Sequence, residues 1–405
     1  MNKTLKNLFL GGAVALTWTA CTPETVDPNA DLKTNVVSNY CDIVLASYED
    51  SYTTAVALQT AVNNLVSTPT QVTFDAAKAA WRAAREPYGQ TEAYRFYDGP
   101  IDDADGPEGA LNAWPLDENY IDYTLSATNT IDYTGIIHDA TTYPTIDAAT
   151  LAGLNEQGGE KNISIGYHAI EFLLWGQDYV NVNTNVGQGG SRTYTDYTNI
   201  SQNYDRRGMY IKACADLIVQ DLGALKAEWA ASGAYRTYFK GLASDEALTK
   251  ILTGIGILSK SELAGERMFT ALEANAADNP QEDEHSCFAD NTHRDIITNA
   301  QGIANVLNGT YVDVNNSTKG NAAYSINALV TAVNTGVASS LATAQATALT
   351  KVNAIPVPFD KTVTEENVAD NGPVYQAVKA LQEQGDKIAE AATALGLTIS
   401  TDLPE

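Results

Sequence analysis

Positively charged residues are scarce in this sequence of 405 residues. It has 24 lysines and arginines against 50 aspartates and glutamates, which gives a formal net charge of −26 at pH 7. Such a surface repels nucleic acid and anionic lipid headgroups, and it attracts cations diffusely. We therefore expect no nucleic-acid partner. The sequence also lacks a phosphate-binding loop, a nucleophile elbow and a dinucleotide fingerprint, which excludes the enzyme classes built on those motifs.

Cysteines and long hydrophobic runs are also few. The chain has 4 cysteines. If Cys21 is lipidated, the remaining three allow one disulfide at most, so disulfides do not build this fold. Beyond the N-terminal segment, no stretch stays apolar for the roughly 20 residues that a transmembrane helix needs. We therefore expect the mature chain to meet a membrane through a lipid anchor only.

The N-terminus has the pattern of an export signal. Lys3 and Lys6 precede a short apolar core, and residues 1–20 are predicted to form a signal peptide. Thr19-Ala20-Cys21 resembles the cleavage site of a bacterial lipoprotein, in which the cysteine is lipidated; a plain signal peptide is the alternative. Residues 21–34 are predicted to be a lipidated, flexible tether. These features predict a cell-envelope protein, an outer-membrane lipoprotein.

The rest of the sequence predicts helices, because strand-like alternation is rare and apolar residues recur at helical spacing. The predicted helices cover residues 32–66, 74–96 (with Pro87 bending or interrupting it), 200–232, 245–274, 324–352 and 373–397. Residues 310–320 are expected to be a polar loop. A mature length of roughly 385 residues exceeds a single core. We predict an all-α fold of two packed helical bundles, residues 35–235 and 236–405.

Residues 162–176, NISIGYHAIEFLLWG, are the most informative stretch. Asn162 or Ser164 is expected to cap a helix that ends at Gly176. Apolar residues surround nearly the whole helix, so it should be buried on most sides. His168 and Glu171 lie three residues apart and share one face of it. A buried carboxylate needs a partner. The pair either stabilises a helix junction or meets a metal, a cation or a polar ligand.

This stretch resembles a known family. Residues 166–171, GYHAIE, look like the G-x-H-x-x-E motif of the imelysin-like family. Other segments that resemble the family are residues 114–117 (WPLD), 121–123 (IDY), 261–262 (SE), 266–267 (ER), 284–288 (EHSCF) and 290–293 (DNTH). The resemblance implies two helical bundles with the motif near their interface. It also implies a link to iron uptake or regulation, in a family classed with metallopeptidases after its founding member.

Further charged residues are second-tier candidates for the same site. Glu92 and Arg95 precede a family-like loop, and Glu262 and Arg267 lie late in the 245–274 helix. Their ordinary interpretation is helical ion pairs and a polar helix end. Arg206 or Arg207 is expected to face Glu171 and neutralise it, with Arg207 taken as the site candidate.

Three other histidines complete the set. His285 and His293 are weaker candidates for metal ligands, because imidazole with nearby carboxylates suits zinc or iron. An interdomain loop held by structural hydrogen bonds is the alternative there. His138 is isolated in a turn-rich segment and is expected to be exposed and uninvolved.

Two functions compete on these residues. The first is a protein that binds iron, or another metal ion or small metal-linked ligand, between the two bundles in iron uptake. The second is a zinc-dependent metallopeptidase in which His168 binds zinc and Glu171 binds it or acts as general base. We rank binding first, because the sequence offers only one clear His–Glu pair. The expected cofactor is zinc or iron.

Overall fold

Helices make up nearly all of the regular structure. The computed structural model describes residues 27–126, 130–178, 189–274, 284–366 and 368–403. The α-helices are α1 (Ala30–Ser67), α2 (Gln71–Thr91), α3 (Glu108–Leu111), α4 (Glu118–Ile121), α5 (Gly135–His138), α6 (Ala148–Leu154), α7 (Gly166–Trp175), α8 (Tyr204–Trp229), α9 (Ala234–Gly241), α10 (Ser244–Ile257), α11 (Thr270–Ala274), α12 (Thr292–Asn308), α13 (Ile326–Val333), α14 (Thr335–Val352), α15 (Phe359–Glu365) and α16 (Pro373–Ala394).

The remaining elements are short, with one exception. A π-helix, Leu258–Phe269, connects α10 to α11. Turns of 3₁₀-helix cover Glu92–Tyr94, Tyr194–Tyr197, Ile200–Gln202, Cys287–Ala289, Ala322–Tyr324 and Val368–Asp370. Strand β1 (Thr124–Leu125) pairs antiparallel with β2 (Ile131–Asp132), and β3 (Thr310–Val312) pairs antiparallel with β4 (Thr318–Gly320). The all-α prediction is therefore confirmed.

The long helices pack in two groups that share contacts. Helix α1 packs along α2 and α8, and α7 packs against α8 and α2. Helix α16 packs against α14, α10 and the π-helix, while α12 packs against both α2 and α14. Apolar residues from both groups form one continuous buried core. The division into bundles at residues 235 and 236 stays a prediction.

Several local predictions need correction. Helix α1 begins at Ala30, so residues 30–34 are helical and not part of a flexible tether. Residues 1–26, with the predicted signal peptide and Cys21, lie outside the described residues. Helix α2 continues past Pro87 to Thr91, so the proline does not interrupt it. Residues 310–320 form the β3–β4 hairpin and not a plain loop. The 324–352 segment divides at Asn334, whose side chain caps α14.

No helix among the described residues has both the length and the apolar character needed to cross a membrane.

Candidate functional site

Helix α7 places His168 and Glu171 in the protein interior. All ten of its residues are buried, and His168 and Glu171 are 1% and 0% exposed. The helix begins at Gly166, which has φ +91°, and a Cβ there would lie 2.8 Å from the carbonyl oxygens of Ala110 and Leu111. Only glycine fits both the backbone conformation and this close approach. The expected caps at Asn162 and Ser164 are wrong, because Ile165 precedes the helix.

His168 meets a second histidine across the core. Its Nδ1 lies 2.8 Å from Oε2 of Glu171, and its Nε2 lies 3.2 Å from Nε2 of His285. Nδ1 of His285 lies 2.9 Å from Oδ2 of Asp295. Glu171 also accepts the backbone N–H of Ala289 through Oε1 at 2.9 Å. Each imidazole is thus held through Nδ1 by a carboxyl group, and the two Nε2 atoms face each other at hydrogen-bonding distance.

Electrostatics favour neutral imidazoles in this pair. Burial lowers the pKa of both His168 and His285 below the usual range for histidine. Burial, with a smaller effect of the Asp295 charge, raises the pKa of Glu171 well above its usual range. Burial alone would also raise the pKa of Asp295, but the Arg85 guanidinium and His285 lower it well below its usual range. These shifts favour the ionised form of Asp295 and the neutral forms of Glu171 and both imidazoles.

Two neutral imidazole nitrogens facing each other can bind a metal. Zinc–nitrogen bonds are about 2.0–2.1 Å long, so two nitrogens on a tetrahedral zinc lie about 3.3 Å apart. The separation between the Nε2 atoms of His168 and His285 is 3.2 Å. A carboxylate on the opposite nitrogen is the arrangement that orients metal-binding histidines in proteins. Within the described residues, however, no three His, Cys, Asp or Glu side chains already converge as a full ligand set.

A second polar cluster lies next to the pair. Oε2 of Glu92 accepts from Nη1 of Arg95 at 2.8 Å and from Nη2 of Arg267 at 2.9 Å. The Arg267 guanidinium also contacts Oε1 of Glu262 at 2.9 Å. Glu108 is half-buried, and its Oε1 lies 3.2 Å from Nη1 of Arg95. We call Glu92, Arg95, Glu262 and Arg267 the cavity wall.

The π-helix explains how Glu262 and Arg267 meet. Its hydrogen bonds join residues five apart, so those residues lie nearly above one another, whereas an α-helix places them on different faces. Nε of Arg267 accordingly donates to Oε1 of Glu262 at 3.0 Å. π-Helices are rare, and their usual form, a single-turn bulge within an α-helix, frequently occurs at functional sites. The sequence pattern of residues 245–274 predicts a helix but does not reveal this change in pitch.

Three residues of the cavity wall, Arg95, Glu262 and Arg267, line one cavity of about 400 Å³ together with His285, and Glu92 lies behind them. Its lining residues are Arg95, Glu108, Gly109, Asn112, Ala113, Trp114, Pro115, Glu156, Glu262, Glu266, Arg267, Thr270 and His285. His285 therefore forms part of the cavity surface, whereas His168 and Glu171 lie behind it. The ring of Trp114 packs edge-on against both imidazoles, with centroid distances of 4.9 Å to His168 and 6.2 Å to His285.

Three of the predicted residues lie elsewhere. Arg207 forms a buried ion pair with Asp122 at 2.7 Å, so the expectation that it neutralises Glu171 is wrong. Arg206 donates to the backbone carbonyls of Ile136 and Ile137 instead. His138 is also not exposed: its side chain is 6% accessible and its Nε2 lies 2.9 Å from Asp122.

His293 does not join the pair either. It lies in the first turn of α12 and is half-buried, and its imidazole makes none of the described contacts with His168, Glu171 or His285. Of the two weaker histidine candidates, the fold brings only His285 to His168.

Sequence reasoning missed the residues that connect the site. Arg85 lies 3.1 Å from Asp295 and donates to Oδ1 of Asn112 at 2.6 Å. Asn112 donates in turn to Oε1 of Glu92 at 3.1 Å. Asp295 lies ten residues after His285, a distance that carries no spacing signal. Of the residues that sequence reasoning missed, only Trp114 could have been found, because it begins a segment that resembles the family.

Comparisons with known proteins agree with this architecture. Two of the solved structures that the chain matches illustrate the shared fold. One is a candidate iron-regulated protein A precursor from Parabacteroides distasonis, with a TM-score of 0.71 and 20% identity over 92% of this chain and 97% of that one. The other is an imelysin-like protein from Psychrobacter arcticum, with a TM-score of 0.60 and 13% identity over 92% and 98%.

Sequence comparisons identify the family. A curated relative, iron-regulated protein A of Synechococcus elongatus, is 37% identical over 75 residues, which is 18% of this chain and only 20% of that protein. The imelysin family model, labelled peptidase family M75, matches residues 44–388. That range includes α7, the histidine pair and the whole cavity wall. The chain therefore belongs to the imelysin family, as its G-x-H-x-x-E motif predicts.

Proposed function

We propose that this protein binds a metal ion between His168 and His285 and serves as a binding protein rather than an enzyme. The observation that carries the proposal is the pair of Nε2 atoms facing each other at 3.2 Å. The carboxyl groups of Glu171 and Asp295 hold the opposite nitrogens of the two rings. Such a pair supplies two ligands, and water or groups of a bound molecule supply the others.

Iron is the metal we favour. Imidazole is a good ligand for both iron and zinc, so the donor atoms alone do not choose between them. The names of two relatives refer to iron regulation. The short sequence match and the low structural identity make this a proposal for the present chain. We propose that the protein functions in iron uptake.

The cavity suggests that the metal arrives with water or a small ligand. A cavity of about 400 Å³ is far larger than one ion, since a water molecule occupies roughly 30 Å³ of liquid. Its lining includes Glu108, Glu156, Glu262 and Glu266 but only two arginines. The surplus of carboxylates favours a cationic or metal-linked ligand over a polyanion.

The zinc metallopeptidase remains the alternative, and the family label refers to peptidases. The position of Glu171 gives it little support. A general base must reach the metal-bound water, but Glu171 is 0% exposed and does not line the cavity. One of its oxygens lies against Nδ1 of His168, and the other accepts the N–H of Ala289.

Metal analysis and calorimetry test the proposal. Purified protein is titrated with Fe²⁺ under anaerobic conditions and with Zn²⁺, and the same titrations are repeated for His285→Ala and His293→Ala. We expect His285→Ala to abolish binding and His293→Ala to preserve it. Equal affinity in both variants would place the metal elsewhere. Peptide turnover that requires zinc and is abolished by Glu171→Gln would instead establish the metallopeptidase.

We also propose that the protein is lipid-anchored in the cell envelope, with an outer-membrane location. The support is the sequence of residues 1–21 alone: a basic start, a short apolar core and small residues before Cys21. Cys21→Ala should prevent incorporation of labelled palmitate and release the protein from the membrane fraction. Unchanged partitioning of this variant would contradict the anchor.

A further inference from the structure

The guanidinium of Arg85 lies between the two parts of the site. Arg85 is 2% exposed, and its Nη2 lies 3.1 Å from Oδ2 of Asp295, the carboxylate that holds His285. Its Nη1 donates to Oδ1 of Asn112 at 2.6 Å. Nδ2 of Asn112 donates to Glu92, the centre of the cavity wall. Direct bonds therefore lead from Glu92 of the cavity wall to the imidazole of His285.

We propose that the histidine pair and the cavity wall form one cooperative unit, with Arg85 as the positioning residue that couples them. The inference rests on the proposed function, since it assigns a regulatory role within the same site. A molecule that enters the cavity and changes the bonds of Arg95 or Arg267 to Glu92 alters how Asn112 holds Arg85. Arg85 in turn alters how Asp295 orients His285. The occupant of the cavity thereby tunes the metal affinity.

Burial makes this transmission effective. Asn112 is 3% exposed and Glu92 is 1% exposed, so water has little access to compensate for a broken bond. Both ends of the Asn112 amide are already in use. A change at one end must therefore shift the other, and buried hydrogen bonds also polarise one another. Coupling between two sites commonly changes affinity by about 5- to 150-fold.

A purely structural role for Arg85 makes a different prediction. Its guanidinium lies over the rings of Tyr88 and Tyr167, 5.4 and 5.2 Å from their centroids. If Arg85 only supports packing, its replacement lowers stability but leaves the two parts of the site as dependent on each other as before. The decisive measurement is therefore how strongly a change in the cavity wall affects His285, and not the stability of the Arg85 variant.

The experiment changes one residue of the cavity wall and records the effect on His285. Glu262→Gln changes the partners of Arg267, and the ring ¹⁵N resonances of His285 are recorded in metal-free protein. The Zn²⁺ affinity is measured in parallel. We expect Glu262→Gln to shift the His285 resonances and to change the Zn²⁺ affinity about fivefold or more. Arg85→Lys keeps the charge but loses the simultaneous bonds to Asp295 and Asn112. In this background, Glu262→Gln should neither shift the His285 resonances nor change the Zn²⁺ affinity.

Arg294→Lys is the matched control. Arg294 adjoins Asp295 on α12 but pairs with Glu86 at the surface, at 2.7 Å. In its background the effect of Glu262→Gln should persist. If Arg85→Lys does not fold, Asn112→Leu interrupts the same path without removing a buried charge.

Two results would overturn the coupling: no response of His285 to Glu262→Gln in the otherwise unchanged protein, or an equal response with and without Arg85. Failure of all forms to bind Zn²⁺ and Fe²⁺ would refute the proposed function instead, while the ring resonances would still decide the coupling.

Discussion

Replacing Glu92 with glutamine removes the negative charge at the centre of the cavity wall and keeps the size of the side chain. Glu92 is 1% exposed and accepts hydrogen bonds from Arg95, Arg267 and Asn112 at 2.8, 2.9 and 3.1 Å. Glu92→Gln would leave two buried guanidinium groups with one counter-charge fewer. Removing one partner of a buried ion pair typically costs about 3–5 kcal/mol.

The pKa of Glu92 gives a second magnitude. Burial alone would raise it, but Arg267 and Arg95 lower the pKa from 4.5 to about 2. A change of one in pKa corresponds to about 1.4 kcal/mol, so the difference corresponds to about 3 kcal/mol of stability. Because the pKa is lower in the folded chain, this stabilisation is fully present above pH 4.5 and is lost as the pH falls toward about 2.

Urea unfolding followed by tryptophan fluorescence measures the effect. We expect Glu92→Gln to lower the free energy of unfolding by about 3 kcal/mol near neutral pH, and this difference to shrink below about pH 4. Glu86→Gln is the control, because the side chains of Glu86 and Arg294 are 41% and 39% exposed. Such surface pairs contribute less than about 1 kcal/mol. A loss for Glu92→Gln as small as that of the control, or one independent of pH, would refute the reasoning.

Three further predictions concern the rest of the chain. Arg207→Met should lower the free energy of unfolding by about 3 kcal/mol, because it removes a partner of the buried Asp122 carboxylate. Burial raises the pKa of Asp221 from 3.8 to about 6, so the free energy of unfolding of wild type relative to Asp221→Asn, measured by urea unfolding, should fall as the pH rises across that interval. Burial also raises the pKa of three thiols, so a thiol reagent should label them only after unfolding; they are Cys41, Cys214 and Cys287.

Local sequence predicted the elements better than their partners. The apolar residues around His168 and Glu171 predict a helix buried on most sides, and α7 ends at Gly176 as expected. Helical spacing alone places His168 and Glu171 on one face, because the geometry of a single helix sets their relation. The ends of α1, α8 and α16 likewise lie within a few residues of the predicted ones.

Local sequence could not predict which side chains pair with each other across the core. Arg85 and Arg207 are both buried arginines on long helices, yet one pairs with Asp295 and the other with Asp122. The choice depends on how helices cross, and neither spacing nor composition encodes that directly. The same holds for His285 and His293: they lie eight residues apart in sequence, but only His285 meets His168. The resemblance to the family indicated which segments contribute to the site, but it did not identify these pairs.

The π-helix at Leu258–Phe269 has a consequence for how the site can change during evolution. Deleting one residue from this segment would let it relax toward ordinary α-helix, and an α-helix is the more favourable backbone. If the deleted residue lies between Glu262 and Arg267, these two become four residues apart, the spacing at which an α-helix already brings two side chains together on one face. Their contact would then survive in a more regular backbone. A single-codon deletion at this place could thus shorten the chain and still keep the Glu262–Arg267 side of the cavity, so this ion pair alone does not require the wider helix.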